Sequence, residues 1–201
     1  MDAAIKMNPA LETSESPFGQ NRGKVMMWVF IVSDALIFAS LLVAYGFQRY
    51  VSPVWPDRWK IFEPGFICAM TVLLLSSSTT MAIAVEALKE GKKQLFALFY
   101  CITILAGFTF LGMQAFEWSH FIEKGASLTG NPWGVPMFSA FFFLITGFHG
   151  FHVMSGVLVL VLVGLWRMMG KASVHSIEMA GLYWSFVDLV WVFIFAFIYL
   201  A

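Results

Sequence analysis

Residues Met137–Trp166 read MFSAFFFLITGFHGFHVMSGVLVLVLVGLW, an apolar run interrupted near its middle by two histidines, His149 and His152. No Asp, Glu, Lys or Arg occurs in it. A bilayer core about 30 Å thick takes roughly 20 apolar residues in a helix, so this stretch alone is long enough to span it. The strand of a membrane barrel would alternate polar and apolar residues, because one face meets the lumen and the other lipid. A continuous run satisfies its backbone only as a helix.

Four further stretches share the pattern: Val25–Phe47, Gly65–Leu88, Leu95–Phe116 and Ala180–Leu200. Of the 201 residues 60% are hydrophobic and 12% charged, with a mean hydropathy of +0.80. Soluble domains carry about 25% charged residues. The chain is therefore predicted to be an all-α integral membrane protein, a five-helix transmembrane bundle over residues 25–201. Residues 1–24 form a polar N-terminal tail whose acids, Asp2, Glu12 and Glu15, argue against a signal or transit peptide. There is no internal repeat or low-complexity segment, and the short connections leave no room for a soluble domain.

Counting Lys and Arg on alternate sides gives eight on one (Lys6, Arg22, Lys24, Lys89, Lys92, Lys93, Arg167, Lys171) and four on the other (Arg49, Arg58, Lys60, Lys124). The positive-inside rule then predicts a cytoplasmic N-terminus and a periplasmic C-terminus. Net charge is zero and no basic cluster tracks a groove, which excludes nucleic acid as a partner. Trp28, Trp55, Trp59, Trp118, Trp133 and Trp166 fall near span ends and are expected to be interfacial anchors. Cys68 and Cys101, within spans, are expected to be small buried apolar residues.

An ionisable group deep in the bilayer is costly unless it pairs or reaches water. At about 1.5 Å per residue, Asp34 lies ~14 Å and Asp188 ~12 Å from the cytoplasmic edge, with His149 at a similar depth and His152 one turn away. Asp34, His149, His152 and Asp188 thus fall in one layer on three helices. The histidines, at spacing i, i+3, share a face, and Gly147, Gly150 and Gly156 allow close backbone approach. Three readings stay open for this cluster: a structural lock, a site for protons, lipid or water, and a metal or haem site. Glu117 and His120, near the outer end of the third span, are expected to form an interfacial pair. Glu86 and Glu178 are expected to reach cytoplasmic water. The run Ser76–Thr80, SSSTT, suggests a helix face packed on protein, its hydroxyls bonding to their own helix or across to a neighbour.

TGFHGFHVMSG and the C-terminal LYWSFVDLVWVFIFAFIYL together resemble the two strongest signatures of subunit III of the haem-copper terminal oxidases, which read close to T-G-F/T-H-G-L-H-V and Y-W-H-F-V-D-x-V-W. FIVSDALIF resembles the family's S-E/D segment, with Asp34 at the acidic position, and LGMQAFEWSHFIEKG the stretch around a family Glu, here Glu117. Trp184 stands at the motif Trp, and Ser185 stands where the family usually has His. The resemblance runs from about Val25 to Leu200 and is to the short five-helix bacterial form, without the two additional N-terminal helices of longer members.

The resemblance implies a multi-pass protein of the bacterial inner membrane that carries no catalytic residue, metal or other cofactor of its own. It would pack on catalytic subunit I, hold phospholipid between helices, and sustain proton uptake and turnover in an oxidase, fed by cytochrome c or quinol, that reduces oxygen to water. Haems and copper belong to partner subunits on this reading; four histidines in all, His120, His149, His152 and His175, are too few for the catalytic subunit. Other classes remain: a stand-alone transporter or proton channel, a small membrane cytochrome, or an accessory subunit of a nitric oxide reductase. Against a transporter, no repeat is seen and no Pro lies inside a predicted span.

Overall fold

A computed structural model describes residues 22–130 and 132–200. It is all-helical among those residues: α1 (Arg22–Val51), the one-turn α2 (Arg58–Ile61), α3 (Pro64–Lys89), α4 (Lys93–Glu123), α5 (Pro136–Met168) and α6 (Val174–Ile194), which runs on into a π-helical segment, Phe195–Leu200. Five of these are long and apolar enough to cross a membrane. The N-terminal tail reading falls on residues 1–21, outside the described residues, but α1 already begins at Arg22.

Every span is longer than its apolar core, because the polar residues at each end continue the helix past the hydrocarbon. The largest difference is in the third, which runs to Glu123 rather than Phe116, and the fifth begins at Val174 rather than Ala180. Ser173 caps it by accepting a hydrogen bond from the Ser176 amide at 3.2 Å, and Glu178 sits inside it, joined to Lys89 at 2.9 Å. Pro64 and Pro136 open α3 and α5, where the missing amide costs no helical hydrogen bond. Gly91 (φ +76°) and Gly170 (φ +73°) end α3 and α5 in the left-handed conformation, letting the Lys92 amide donate to the Ala87 carbonyl and Lys171 to Trp166.

Helix α6 is the centre of the bundle, packing on α1, α3 and α5; α3 packs most extensively on α4, and α4 also meets α5. The helix at the periphery is α1, which leans on α5 and α6. The key to the centre is Trp184, wholly buried on α6. A methyl added at Gly107 of α4 would sit 2.7 Å from its ring, and one at Gly156 of α5 3.0 Å from it, so both glycines exist to admit the indole. On its polar edge Nε1 donates to the Ser77 hydroxyl of α3 at 2.9 Å. One side chain therefore joins four spans. Helix association in lipid relies on such close packing and on interhelical hydrogen bonds, since lipid tails are as apolar as leucine.

Two expectations need correction here. Cys68 and Cys101 are exposed on the outside of the bundle, where a thiol is apolar enough for a membrane-facing surface. Trp28 and Trp166 do point outward, but Trp55, Trp118 and Trp133 pack inward: Trp55 against Tyr45 and Phe138, Trp133 against Phe121 and Phe138, and Trp118 donating to Thr146 at 3.1 Å. Phe62, next to α2, joins Phe121, Phe138, Phe142 and Tyr199 in an aromatic plug that closes this end of the bundle. The Trp59 side chain lies outside the described residues.

Gly107→Ala is expected to lower stability by about 1–3 kcal/mol, the usual cost of overpacking, because its methyl would meet Val157 at 2.6 Å as well as the indole. Thermal melting of the detergent-solubilised protein by circular dichroism checks this, with Gly112→Ala, which meets nothing within 4 Å, as the silent control.

Candidate functional site

The four layer residues are all buried, as their depth predicts, but they do not converge into one cluster. The structure divides them into a carboxyl–imidazole pair, a carboxyl set against a hydroxyl and a histidine in an aromatic box.

The pair is Asp34 of α1 and His152 of α5, with Oδ2 and Nε2 3.1 Å apart. The contact is counted as an ion pair and not as a hydrogen bond. At the other side of the ring, Nδ1 stands 2.7 Å from the Phe148 carbonyl. A carbonyl only accepts, so Nδ1 carries a hydrogen and the ring tautomer is fixed. A carboxyl and an imidazole placed together lower the cost of burying either one. Around it, the Ser155 and Tyr183 hydroxyls are 2.9 Å apart, and Ser155 donates to the His152 carbonyl, tying α6 to the same turn. The Phe38 ring stands edge-on to His152 at 5.3 Å.

Asp188 has a different partner. Its Oδ2 lies 3.3 Å from the Ser77 hydroxyl, the same hydroxyl that receives the Trp184 indole N–H. Ser78 donates to Ser185 at 3.2 Å, and the Thr80 and Thr103 hydroxyls are 2.8 Å apart, joining α3 to α4. The SSSTT run thus bonds both back to its helix and across to two neighbours, as its composition suggests.

His149 meets neither carboxylate. Both ring nitrogens lack a hydrogen-bond partner among the described residues, and the imidazole is walled by Phe38, Phe110 and Trp191 with centroids 6.4, 5.8 and 5.2 Å away. The shared helix face was legible; which residues other helices would place opposite it was not. No group of three or more His, Cys, Asp or Glu side chains is gathered as a metal site among the described residues.

Glu117 also departs from expectation. It is buried, and its Oε2 accepts a 3.0 Å hydrogen bond from the Tyr199 hydroxyl, whereas His120 points outward. No interfacial Glu117–His120 pair forms. Sequence reasoning missed Tyr199, and likewise the Trp191 indole donating to Thr71 at 3.1 Å and Gln114 reaching the Thr146 carbonyl at 3.3 Å. Glu86 is exposed on the surface of the bundle.

Fold and site together define a polytopic helical membrane protein whose interior is stitched by single polar contacts between helices. Residues 5–201 match the family described as Cytochrome c oxidase subunit III, and the chain belongs to that family. It is similar to the probable quinol oxidase subunit 3 of Staphylococcus saprophyticus (31% identity over 90% of this chain and 89% of that one). It is also similar to the quinol oxidase subunit 3 of Bacillus spizizenii (34%; 86% and 84%) and to the cytochrome c oxidase subunit 3 of a Bacillus species (30%; 98% and 91%). This is a multi-pass bacterial membrane protein, an accessory subunit of a haem-copper oxidase that associates with other oxidase subunits.

The two histidines should respond differently to the same change. His152→Phe is expected to cost about 3–5 kcal/mol, since it strands the Asp34 carboxyl. His149→Phe is expected to change stability by less than about 1.5 kcal/mol, an apolar ring replacing one of similar size that makes no hydrogen bond. Melting curves of the two variants side by side are the measurement.

Proposed function

We propose that this chain is the redox-silent subunit III of a proton-pumping respiratory oxidase that reduces oxygen to water. It packs on catalytic subunit I, holds phospholipid, and sustains proton uptake through repeated turnover. Haems and copper reside in partner subunits. The observation that carries the reading is the Asp34–His152 pair, a buried carboxyl–imidazole contact that fastens the peripheral helix α1 to α5.

Lipid holding is supported by the surfaces beside α1. A groove of about 380 Å³ runs between α1 and α6, lined by Ala35, Ala39, Leu42, Leu189 and Phe193. Another of about 570 Å³ lies between α1, α5 and α6, with Met27, Phe30, Val159 and Tyr183 on its walls. Both are dominated by apolar side chains, which suits acyl chains. The orientation that fits the Lys and Arg count puts the tight turns at Gly91 and Gly170 in the cytoplasm and α2 outside.

Two measurements test this. Affinity capture of the tagged chain from native membranes in mild detergent is expected to bring down haem absorbance and a large multi-helix partner; a colourless, partnerless protein overturns the assignment. In the captured complex, Asp34→Asn separates the two roles of the pair. Loss of the subunit from the complex marks a packing lock, while an intact complex whose activity decays over successive turnovers marks proton handling. An intact and fully active variant sinks both.

A further inference from the structure

On the α2 side of the bundle, between the start of α3 and the end of α4, lies a cavity of about 120 Å³. Its rim carries Glu63 and His120, both exposed. Phe66 and Phe116 line its walls, and α2 contributes only Ile61, an apolar side chain. Glu117 lines the same cavity and is 5% exposed. One of its oxygens is held by the Tyr199 hydroxyl at 3.0 Å, and the other, Oε1, makes no hydrogen bond with any described residue.

Those facts conflict unless the cavity has an occupant. A buried carboxyl oxygen without a partner is costly, and an ionisable group at this depth is retained only where it pairs or meets water. A water needs polar partners and takes about 30 Å³ in the liquid, so the cavity has room for a few. Its polar groups converge in the required way, with Glu117 at the buried end and Glu63 and His120 where it opens.

We propose that this cavity is a proton-exchange site, in which Glu117 gives up and takes back a proton through cavity water to the aqueous phase on the α2 side, while Tyr199 holds the carboxyl in position. The step breaks and remakes O–H bonds only. A proton leaves Oε1 for a cavity water, forming hydronium and carboxylate, and the return reverses it; no electron moves. Tyr199, donating to Oε2, stays in place throughout and stabilises the carboxylate when it forms. The titratable groups facing the site are Glu63 at the head of α3, His120 on α4 and Tyr199 on the terminal segment. The site stands apart from the Asp34–His152 pair and does not depend on the role assigned to that pair.

Infrared difference spectroscopy of the isolated oxidase complex tests it. Glu117→Gln keeps the size of the side chain and an oxygen for Tyr199 to bond, so the carbonyl-stretch band present in the wild type and missing in this variant belongs to the protonated Glu117 carboxyl. That band is expected to shift to lower frequency on the first mixing with D2O and to disappear as pH is raised. His120→Trp, which places bulk at the exposed rim, is expected to slow the shift without removing the band. A band that keeps its position through prolonged exposure to D2O shows a site closed to water. One that is absent, or constant, between about pH 5 and 9 shows a group that does not exchange its charge. Either result overturns the proposal.

Discussion

The fit of the Trp184 indole between two glycines is the constraint on which the rest of this bundle depends. In lipid there is no hydrophobic force to press helices together, so association rests on how closely backbones approach and how their few polar groups pair. Gly107 and Gly156 let α4 and α5 close on α6, and the indole N–H reaches across to α3. The Ser77 hydroxyl that receives it also faces Asp188. Packing and polar satisfaction are thereby joined at one point, and neither can be altered without the other.

Polar groups in such an interior are mostly answered by a contact from another helix, His149 being the exception. Trp191 bonds Thr71, Tyr100 bonds the Leu160 carbonyl, Trp118 bonds Thr146, and Tyr199 bonds Glu117. Donors on aromatic rings are well suited to this, since the ring fills apolar space while its edge supplies one directed hydrogen bond. Asp34 and His152 set a carboxyl against an imidazole, and they do so where α1 joins the remainder of the bundle.

Hydropathy made the five spans legible, though the third was read short of its end at Glu123 and the fifth short of its start at Val174. The fifth span was read short because Ser173, Ser176 and Glu178 look like loop residues; the structure uses the first as a cap and the last as an ion-pair partner. Depth along the helix was also legible, so the four layer residues were correctly expected to be buried. What periodicity could not supply was rotation. His149 and His152 share a face, yet a turn of helix is enough to give one a carboxylate and the other an aromatic box, and that choice is made by α1, α4 and α6. Glu117 was misjudged for a related reason: its distance from the end of the span suggested water, while the aromatic plug around Phe62 and the turn carrying Tyr199 enclose it.

The peripheral position of α1 has a consequence for how the chain is made. Translation delivers Asp34 first and His152 only after more than half the sequence has followed, so α1 enters the bilayer carrying a carboxyl whose partner does not yet exist. A lone intramembrane aspartate is tolerated best in its neutral form or near water, and α1 has little other contact to fasten it. The later helices have the Trp184 wedge to gather them without α1. Among the described spans, α1 thus waits for α5 before its buried carboxyl meets its partner, and the arrival of His152 supplies the clasp that fastens it to the bundle.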